Sequence, residues 1–501
     1  VNGGGEILIG GNYLGKGPDP NASATVILEG AEITADALES GDGGRVIVWS
    51  DDYTNFSGLI TAKGSDAGIG GFVETSSKDN LQVSGDVETN GGTWLLDPSD
   101  VIISTDSSAN VSGSQTFEPT AQSTVINVSS ITSALANNQN VIVTTNLGAA
   151  GSGQDGDITI NAAINATNSI GKSLTLVATD KIIVNQNITA TDGTLNITLG
   201  GQGDISLGSN VAITTRGGYF TVRGANDTAE LFRGLGTYAG SFTSGSGSSI
   251  NTTGKADTAG GAVTIQTFNR NPGGGATNGN ISIGGSITTS GGTSSGTTGF
   301  AGGDVIITAT GTGTLSVLSN ADITSTGSDA NSGASAGGAG GAVTLDTATT
   351  ALTLNDTQIL TSGGAGSSGG ATGNGGNIVI SDPLSIATGT VTFNTGTGST
   401  AGDITTSTID GATGISLTYG GGSLSTGIIG GGTALTGLTY TGTALTLSND
   451  ITTNNGAVDI NAPVNLGANI TITTGGGGID FSSTINGTQT LTLESGTGAI
   501  V

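Results

Sequence analysis

The sequence contains no cysteine, no histidine and no methionine in its 501 residues. The absence of cysteine excludes disulfides, thiolate metal sites and a cysteine nucleophile. The absence of histidine removes the most common general base and metal ligand. Catalysis would have to rely on carboxylates, hydroxyls, 6 tyrosines and 11 cations. We therefore predict that the chain is not an enzyme and that it needs no cofactor.

Aromatic residues make up only 4% of the chain and charged residues 10%, whereas glycine fills 93 positions. Helical bundles need bulky packing layers and charged helix surfaces, and both are scarce here. Apolar residues nevertheless account for 34% of the sequence, which is enough for a core if they recur regularly. The composition thus favours a β-rich repeat fold over helices or disorder.

Positive charge is also scarce, since the formal net charge is −27 and no Lys or Arg follows Arg270. The last part of the chain therefore offers no basic stripe for phosphate groups, and we expect no nucleic acid partner. No apolar run approaches about 18 residues, so we expect no direct insertion into a membrane. The sequence begins at Val1 and lacks a leader, which suggests a mature or internal piece of a longer protein.

A glycine pair followed by alternating apolar residues recurs along the chain. Such pairs begin at Gly43, Gly70, Gly91, Gly260, Gly302, Gly340 and Gly375. Alternation places Val263 and Ile265 on one side of a strand, and Val343 and Leu345 do the same in a later repeat. Each repeat therefore indicates a turn followed by a short strand with one inward face.

Further short apolar pieces lie between the glycine pairs, as in residues 174–190 and again in 195–214. A unit of three short strands cannot bury its own apolar face, but a stack of such units buries a continuous one. We predict an all-β, parallel β-helix with three strands per coil. Residues 130–138 (SITSALANN) interrupt the pattern and predict a short helix with a Ser/Thr cap, with an irregular turn as the alternative.

The spacing of the glycine pairs divides the chain into four predicted regions. Residues 1–105 form a β-helix region, 106–150 an irregular segment with the short helix, and 151–250 compact coils. Residues 251–501 form coils with Gly/Ser/Thr-rich insertions, for which loops leaving the stack at one corner are the natural explanation.

The first region carries a series of motifs in a fixed order. They are 10–17 (GGNYLGKG), 43–51 (GGRVIVWSD), 70–76 (GGFVETS) and 94–98 (WLLDP). In this order they resemble the region that follows the secretion domain in two-partner-secreted exoproteins, the filamentous haemagglutinin and high-molecular-weight adhesin family. The resemblance is looser up to about residue 200, and beyond it only the generic repeat persists.

The resemblance implies a right-handed β-helix that is secreted to the bacterial cell surface. It implies export through an outer-membrane β-barrel transporter, which would recognise a secretion domain that this chain lacks. It also implies attachment to host cells or surfaces through glycans or proteins that the sequence does not identify.

Three hypotheses follow for function. The first is the structural and adhesive shaft of a large surface exoprotein. The second is an extracellular filament or sheath subunit that self-associates end to end, because cut β-helices expose strand edges. The third is a carbohydrate-active enzyme, for which Asp51 with Asp52, Asp155 with Asp157, and Asp204 near Arg223 are the candidate groups. Acid pairs of this kind are more often turn residues.

The sequence contains two further kinds of candidate site. Residues 200–207 approach a calcium-binding nonapeptide, but the Asp comes one place early and no tandem copy follows, so we expect a turn and no metal site. Asn-x-Ser/Thr sequons supply candidate glycosylation sites at Asn165, Asn187, Asn196, Asn280 and Asn469.

Overall fold

The computed structural model describes residues 3–106, 111–112, 118–119, 124–145, 156–201, 203–223, 240–267, 279–348, 350–396, 401–411, 413–418 and 424–501. In this part of the chain nearly all regular structure is short strands, with one α-helix and one turn of 3-10 helix. No described helix is long and apolar enough to span a membrane. The chain divides into two compact units, residues 1–215 with 221–240 and residues 216–220 with 241–501.

Each coil of unit 1 contains about three strands. They are β1 (Glu6–Ile9), β2 (Ala24–Ile27), β3 (Glu32–Thr34), β4 (Arg45–Val48), β5 (Tyr53–Phe56), β6 (Leu59–Thr61), β7 (Phe72–Thr75), β8 (Asn80–Val83), β9 (Asp86–Glu88), β10 (Thr93–Leu96), β11 (Val101–Ser104), β12 (Val111–Ser112), β13 (Glu118–Pro119), β14 (Thr124–Asn127), β15 (Asn140–Thr144), β16 (Ile158–Ile160), β17 (Ile164–Ala166), β18 (Ile170–Ala178), β19 (Ile182–Val184), β20 (Ile188–Ala190), β21 (Thr194–Gly201), β22 (Ile205–Leu207) and β23 (Ala212–Thr214). The next strand, β24 (Phe220–Arg223), runs across the boundary between the units.

Equivalent strands of successive coils pair in parallel and form three faces. The first face has the order β1-β4-β7-β10-β15-β18-β21. The second has β2-β5-β8-β14-β11-β16-β19-β22. The third consists of β3-β6-β9 and, separately, β17-β20-β23. This is the predicted parallel β-helix with three strands per coil, and the prediction of an all-β fold is confirmed.

The helix α1 (Val128–Ala136) fills the gap in the third face, since it contacts both β9 and β17. A helix with its side chains is about 10 Å wide, roughly two strand spacings. Ile131 and Leu135 lie one turn apart and are buried against the coils. The predicted helix is confirmed, but its cap is not a Ser or Thr. The helix begins at Val128, two residues before the predicted segment, because the side chain of Asn127 accepts a hydrogen bond from the backbone N–H of Ser129 at 2.9 Å.

The second face gains an extra strand beside this helix. β14 lies between β8 and β11, and the two short strands β12 and β13, which come between β11 and β14 in the sequence, pair with each other in antiparallel orientation. Between β8 and β16 the second face therefore has two strands, whereas the first face has only β10 between β7 and β15. The strand order is not sequential here.

Unit 2 repeats the three-strand coil. Its strands are β25 (Phe242–Ser244), β26 (Ser249–Asn251), β27 (Val263–Thr267), β28 (Ile281–Ile283), β29 (Ser286–Thr288), β30 (Val305–Ala309), β31 (Leu315–Val317), β32 (Ile323–Thr324), β33 (Val343–Thr347), β34 (Leu352–Leu354), β35 (Gln358–Leu360), β36 (Ile378–Ile380), β37 (Leu384–Ile386), β38 (Val391–Asn394), β39 (Ile404–Thr406), β40 (Ile409–Gly411), β41 (Ile415–Thr418), β42 (Leu424–Ser425), β43 (Leu438–Thr441), β44 (Leu445–Leu447), β45 (Ile451–Thr452), β46 (Val458–Asn461), β47 (Val464–Leu466), β48 (Ile470–Thr473), β49 (Ile479–Phe481), β50 (Ile485–Asn486) and β51 (Leu491–Glu494).

The three faces of unit 2 are also parallel ladders. They are β27-β30-β33-β36-β39-β42, β25-β28-β31-β34-β37-β40 and β26-β29-β32-β35-β38-β41-β43-β46-β49, followed by β44-β47-β50 and β45-β48-β51. Val263 pairs with Val305, which pairs with Val343, and all three side chains are fully buried. Stacks of like apolar residues therefore build the core, as the alternating pattern predicts.

Candidate functional site

The acid pairs proposed from sequence serve as structural hydrogen-bond acceptors or lie in solvent. The carboxylate of Asp51 accepts the side-chain amide of Asn21 at 3.0 Å, whereas Asp52 is exposed. Asp157 accepts the backbone N–H of Lys181 at 3.0 Å, and its partner Asp155 lies outside the described residues. These contacts hold one coil to the next. They do not bring two carboxyl groups together around a substrate.

The other sequence candidates lie in strands or next to them, and the turn expected at residues 200–207 is partly strand. Asp204 is an exposed residue just before β22, and Arg223 ends β24. Gly200 and Gly201 of the proposed calcium motif belong to β21, and Gln202 lies outside the described residues. Nowhere in the described part of the chain do three acidic side chains come close enough to hold a metal ion.

The five candidate glycosylation sites lie on the surface. Asn165, Asn187, Asn280 and Asn469 are exposed, and Asn196 is half-buried. The side-chain oxygens of Asn187, Asn280 and Asn469 accept a backbone N–H from the next coil, at 2.8, 2.9 and 3.0 Å. The amide nitrogen of Asn196 donates to a backbone carbonyl at 3.2 Å. Stabilisation of neighbouring coils thus explains why asparagine recurs here without a glycan.

A loop of residues 10–22, hereafter the covering loop, lies over the outer surface of the first face in unit 1. Its glycines pack directly on the indole of Trp49. A Cβ added to Gly15 would lie 2.5 Å from the ring, and one added to Gly11 would lie 2.7 Å from it. Asn21 ties the loop down by donating to the carbonyl of Gly15 and to Asp51. Trp49 points away from the core, yet only 2% of it is exposed.

Glu74 is buried beneath the same loop. It is an outward residue of β7, and it pairs with Ile47 on one neighbouring strand and Leu95 on the other. Its two carboxylate oxygens accept the backbone N–H of Leu14 at 3.2 and 3.3 Å. Burial raises the pKa of Glu74 to about 7, although the Leu14 amide, the Ser76 hydroxyl and the charge of Arg45 partly oppose this.

Arg45 lies close enough to Glu74 for its charge to act on the carboxyl group. Its guanidinium lies 4.8 Å from the ring centre of Tyr13 and 5.9 Å from that of Phe72, and it forms an ion pair with Glu6 at 3.2 Å. The two rings meet edge to face at 5.8 Å. A cavity of about 320 Å³ opens beside this cluster. It is lined by Glu6, Leu8, Asn12, Tyr13, Leu14, Lys16 and Arg45.

A shallow groove of about 780 Å³ runs along the glycine pairs next to this cluster. The pairs pack backbone to backbone, since a Cβ on Gly71 would lie 2.1 Å from the carbonyl oxygen of Gly44. One side of the groove carries the first outward residue of each strand. These residues are Glu6, Arg45, Phe72, Thr93 and Asn140.

In unit 2 a second candidate surface is formed by loops that leave one corner of the coils, between the third and the first face. At the base of several of these loops a buried threonine donates its hydroxyl to a glycine carbonyl, a contact we call the loop clamp. Thr289 donates to Gly303 at 2.6 Å, and the N–H of Gly303 returns a hydrogen bond to the carbonyl of Thr289. Thr361 and Gly376 make the same pair of bonds. The loop of residues 326–340 differs, because Ser325 at its base donates to Gly303 of the preceding coil.

The loop clamp is independent of the length of the loop. Clamp residues are fifteen positions apart at Thr361 and Gly376 but only seven apart at Thr395 and Gly402, where the hydroxyl hydrogen bond is 2.8 Å. The coils can thus continue whether the loop is long or short.

Neighbouring loops of unit 2 stack on one another through their backbones. The N–H of Gly327 donates to Ser362, and that of Gly337 donates to Ala371 in the next loop. The two legs of a loop are equally close, since a Cβ on Gly327 would lie 1.9 Å from the carbonyl oxygen of Gly338. Only glycine permits this approach, so the loops form an ordered layer of their own.

The sequence patterns predicted corner loops in residues 251–501, but they missed the covering loop with Glu74 and the loop clamp. Glu74 is the one charged residue of its strand, but only the distant covering loop buries it. The loop clamp could have been found from the threonine that follows the third strand of several coils, at Thr252, Thr289, Thr361 and Thr395. Comparison of the chain with protein-family models finds no match, and comparison with curated proteins finds no relative.

Proposed function

We propose that this chain is the structural and adhesive shaft of a secreted bacterial surface protein, in which the β-helix coils are the scaffold and the corner loops of unit 2 contact other cells or surfaces. The role needs no catalytic group. Export through an outer-membrane transporter and a place at the cell surface belong to the same proposal, and they follow from the resemblance to haemagglutinin-like exoproteins.

The observation that carries the proposal is the loop clamp. It closes corners between the third and the first face with the same threonine-to-glycine hydrogen bond whether the clamp residues are seven or fifteen positions apart. A scaffold that accepts insertions without disturbing its core can display variable segments to a partner.

Surface chemistry supports the proposal as well. The formal net charge of −27 and the absence of any Lys or Arg after Arg270 suit a long molecule that stays dispersed outside a cell. The displayed loops are rich in Gly, Ser, Ala and Thr, and their ordered backbones lower the entropic cost of binding.

The experiment is an attachment assay with the purified chain coupled to fluorescent beads. Retention on epithelial cells, on bacterial cells and on hydrophilic and hydrophobic surfaces is compared with that of albumin-coated beads. Retention above albumin on at least one surface supports the proposal, and retention equal to albumin on all of them contradicts it.

A further inference from the structure

We propose that the covering loop, residues 10–22, is a lid over the first face of unit 1 that Glu74 holds shut while its carboxyl group is protonated, and that ionisation of this group opens the lid and uncovers Trp49. The proposal is independent of the adhesive role of the loops in unit 2.

The environment of Glu74 makes its charge costly in the closed form. The side chain is fully buried, and the residues paired with it on the adjacent strands, Ile47 and Leu95, are apolar and buried too. The N–H of Leu14 is the hydrogen-bond donor that the loop offers. An ionised carboxylate in such a place gains solvation when the loop moves away.

The charged groups around Glu74 do not cancel this cost. Arg45 on β4 is the cation whose charge reaches it, but this side chain is also held by Glu6 on β1. Strand β10 carries no charged residue, and Asp97 follows it. The loop itself contributes Lys16 and Asp19, which are exposed.

The loop lies outside the parallel strands of the coils, and one of its residues is strained. Leu14 adopts φ 58° and ψ 27°, a left-handed conformation that is strained for leucine. The loop is also held by the hydrogen bonds of Asn21 to Gly15 and Asp51, by the backbone bond from Asp51 to Ala22, and by the contacts of Tyr13 with Phe72 and Arg45. Opening would relieve the strain at Leu14 and expose the indole of Trp49, on which the loop glycines lie.

The direction of the pH effect follows from linkage. The closed form holds a proton on Glu74 with a pKa of about 7, whereas a solvated carboxyl group has the ordinary value of 4.5. Raising the pH through this range therefore shifts the balance toward the open loop. The equilibrium constant for opening rises by up to about 300-fold between a pH well below 4.5 and a pH well above 7.

The test measures acrylamide quenching of Trp49 in the full chain carrying Trp94→Phe, between pH 4.5 and 8.5. We expect the quenching constant to rise at least twofold with pH. It should stay low and flat when Glu74→Gln is added, because glutamine mimics the protonated acid. Asp51→Asn is the matched control, because it removes another carboxylate near the indole, and it should keep the pH dependence.

Hydrogen exchange of the wild-type peptide 10–22, corrected for the intrinsic effect of pH, provides a second readout that needs no tryptophan variant. Faster exchange at pH 8 than at pH 5, abolished by Glu74→Gln, supports the lid. A rise that persists in Glu74→Gln, or quenching and exchange that do not change with pH in the parent chain, overturns it.

Discussion

Leu14 donates its backbone N–H to both carboxylate oxygens of Glu74, at 3.2 and 3.3 Å, although the two residues are sixty positions apart in the sequence. The contact joins the covering loop, which belongs to the first coil, to the outer surface of the third coil. It also places an acidic side chain where no water solvates it, which gives the stability of these coils a specific dependence on pH.

The stability of the coils around Glu74 is expected to fall as pH rises from 4.5 to about 7. Burial raises the pKa of Glu74 to about 7 in the folded protein, so folding retains a proton that the unfolded chain releases in this range. Stability from this group is complete below pH 4.5 and is lost through pH 7. The difference corresponds to on the order of 3 kcal/mol.

Urea unfolding followed by tryptophan fluorescence at pH 4.5 and pH 7.5 measures this effect, because Trp49 and Trp94 both lie in these coils. Glu74→Gln should remove the Glu74 part of the decrease. If this variant loses as much stability with pH as the parent chain, the assigned cause is wrong.

Gly71→Ala is expected to destabilise the same coils by about 3 kcal/mol, because its Cβ would lie 2.1 Å from the carbonyl oxygen of Gly44. Gly5→Ala is the matched control, since no atom lies within 4 Å of its added Cβ. The control should change stability by less than about 0.5 kcal/mol. Equal urea midpoints for the two variants would show that the glycine corners are not tightly packed.

The repeat made the fold predictable, but the departures from the repeat could not be predicted. Glycine pairs and alternating apolar residues indicate parallel coils because each coil uses the same local pattern. The insertion of β14 between β8 and β11 depends on which of several similar strands pair, and no local pattern specifies that choice. The burial of Glu74 likewise depends on a loop from another coil, so no pattern within its own strand marks the site.

Loss of the loop clamp is expected to loosen a loop without unfolding its coil. Thr361→Val removes the hydroxyl that donates a hydrogen bond to the carbonyl of Gly376. A buried carbonyl left without a donor lowers stability by about 1–3 kcal/mol. Hydrogen exchange of peptides covering 361–376 should accelerate about tenfold. Thr344→Val is the control, because this outward threonine pairs with Ile306 and Val379. Equal acceleration in both variants would contradict a clamp.

The cap of α1 is expected to contribute about 1 kcal/mol to the stability of the helix. Asn127→Ala removes the oxygen that accepts the N–H of Ser129, whereas Asn127→Asp keeps one. Hydrogen exchange of the peptide 128–136 should therefore be faster in the alanine variant and near the parent rate in the aspartate variant. If exchange is no faster in the alanine variant than in the parent chain, packing against β9 and β17 alone holds the helix.

The most direct test of the proposed function is bead attachment by a variant whose corner loops are shortened. Residues 290–302, 326–340 and 362–375 are each replaced by the six-residue sequence GTGSTA, which joins Thr395 to Gly402 at the same corner of a later coil. Far-UV circular dichroism and strand protection should match those of the parent, because short connections close with the same clamp. Attachment should fall to the level of albumin-coated beads. Attachment equal to that of the parent chain, with the coils intact, would contradict the claim that the loops make the contact.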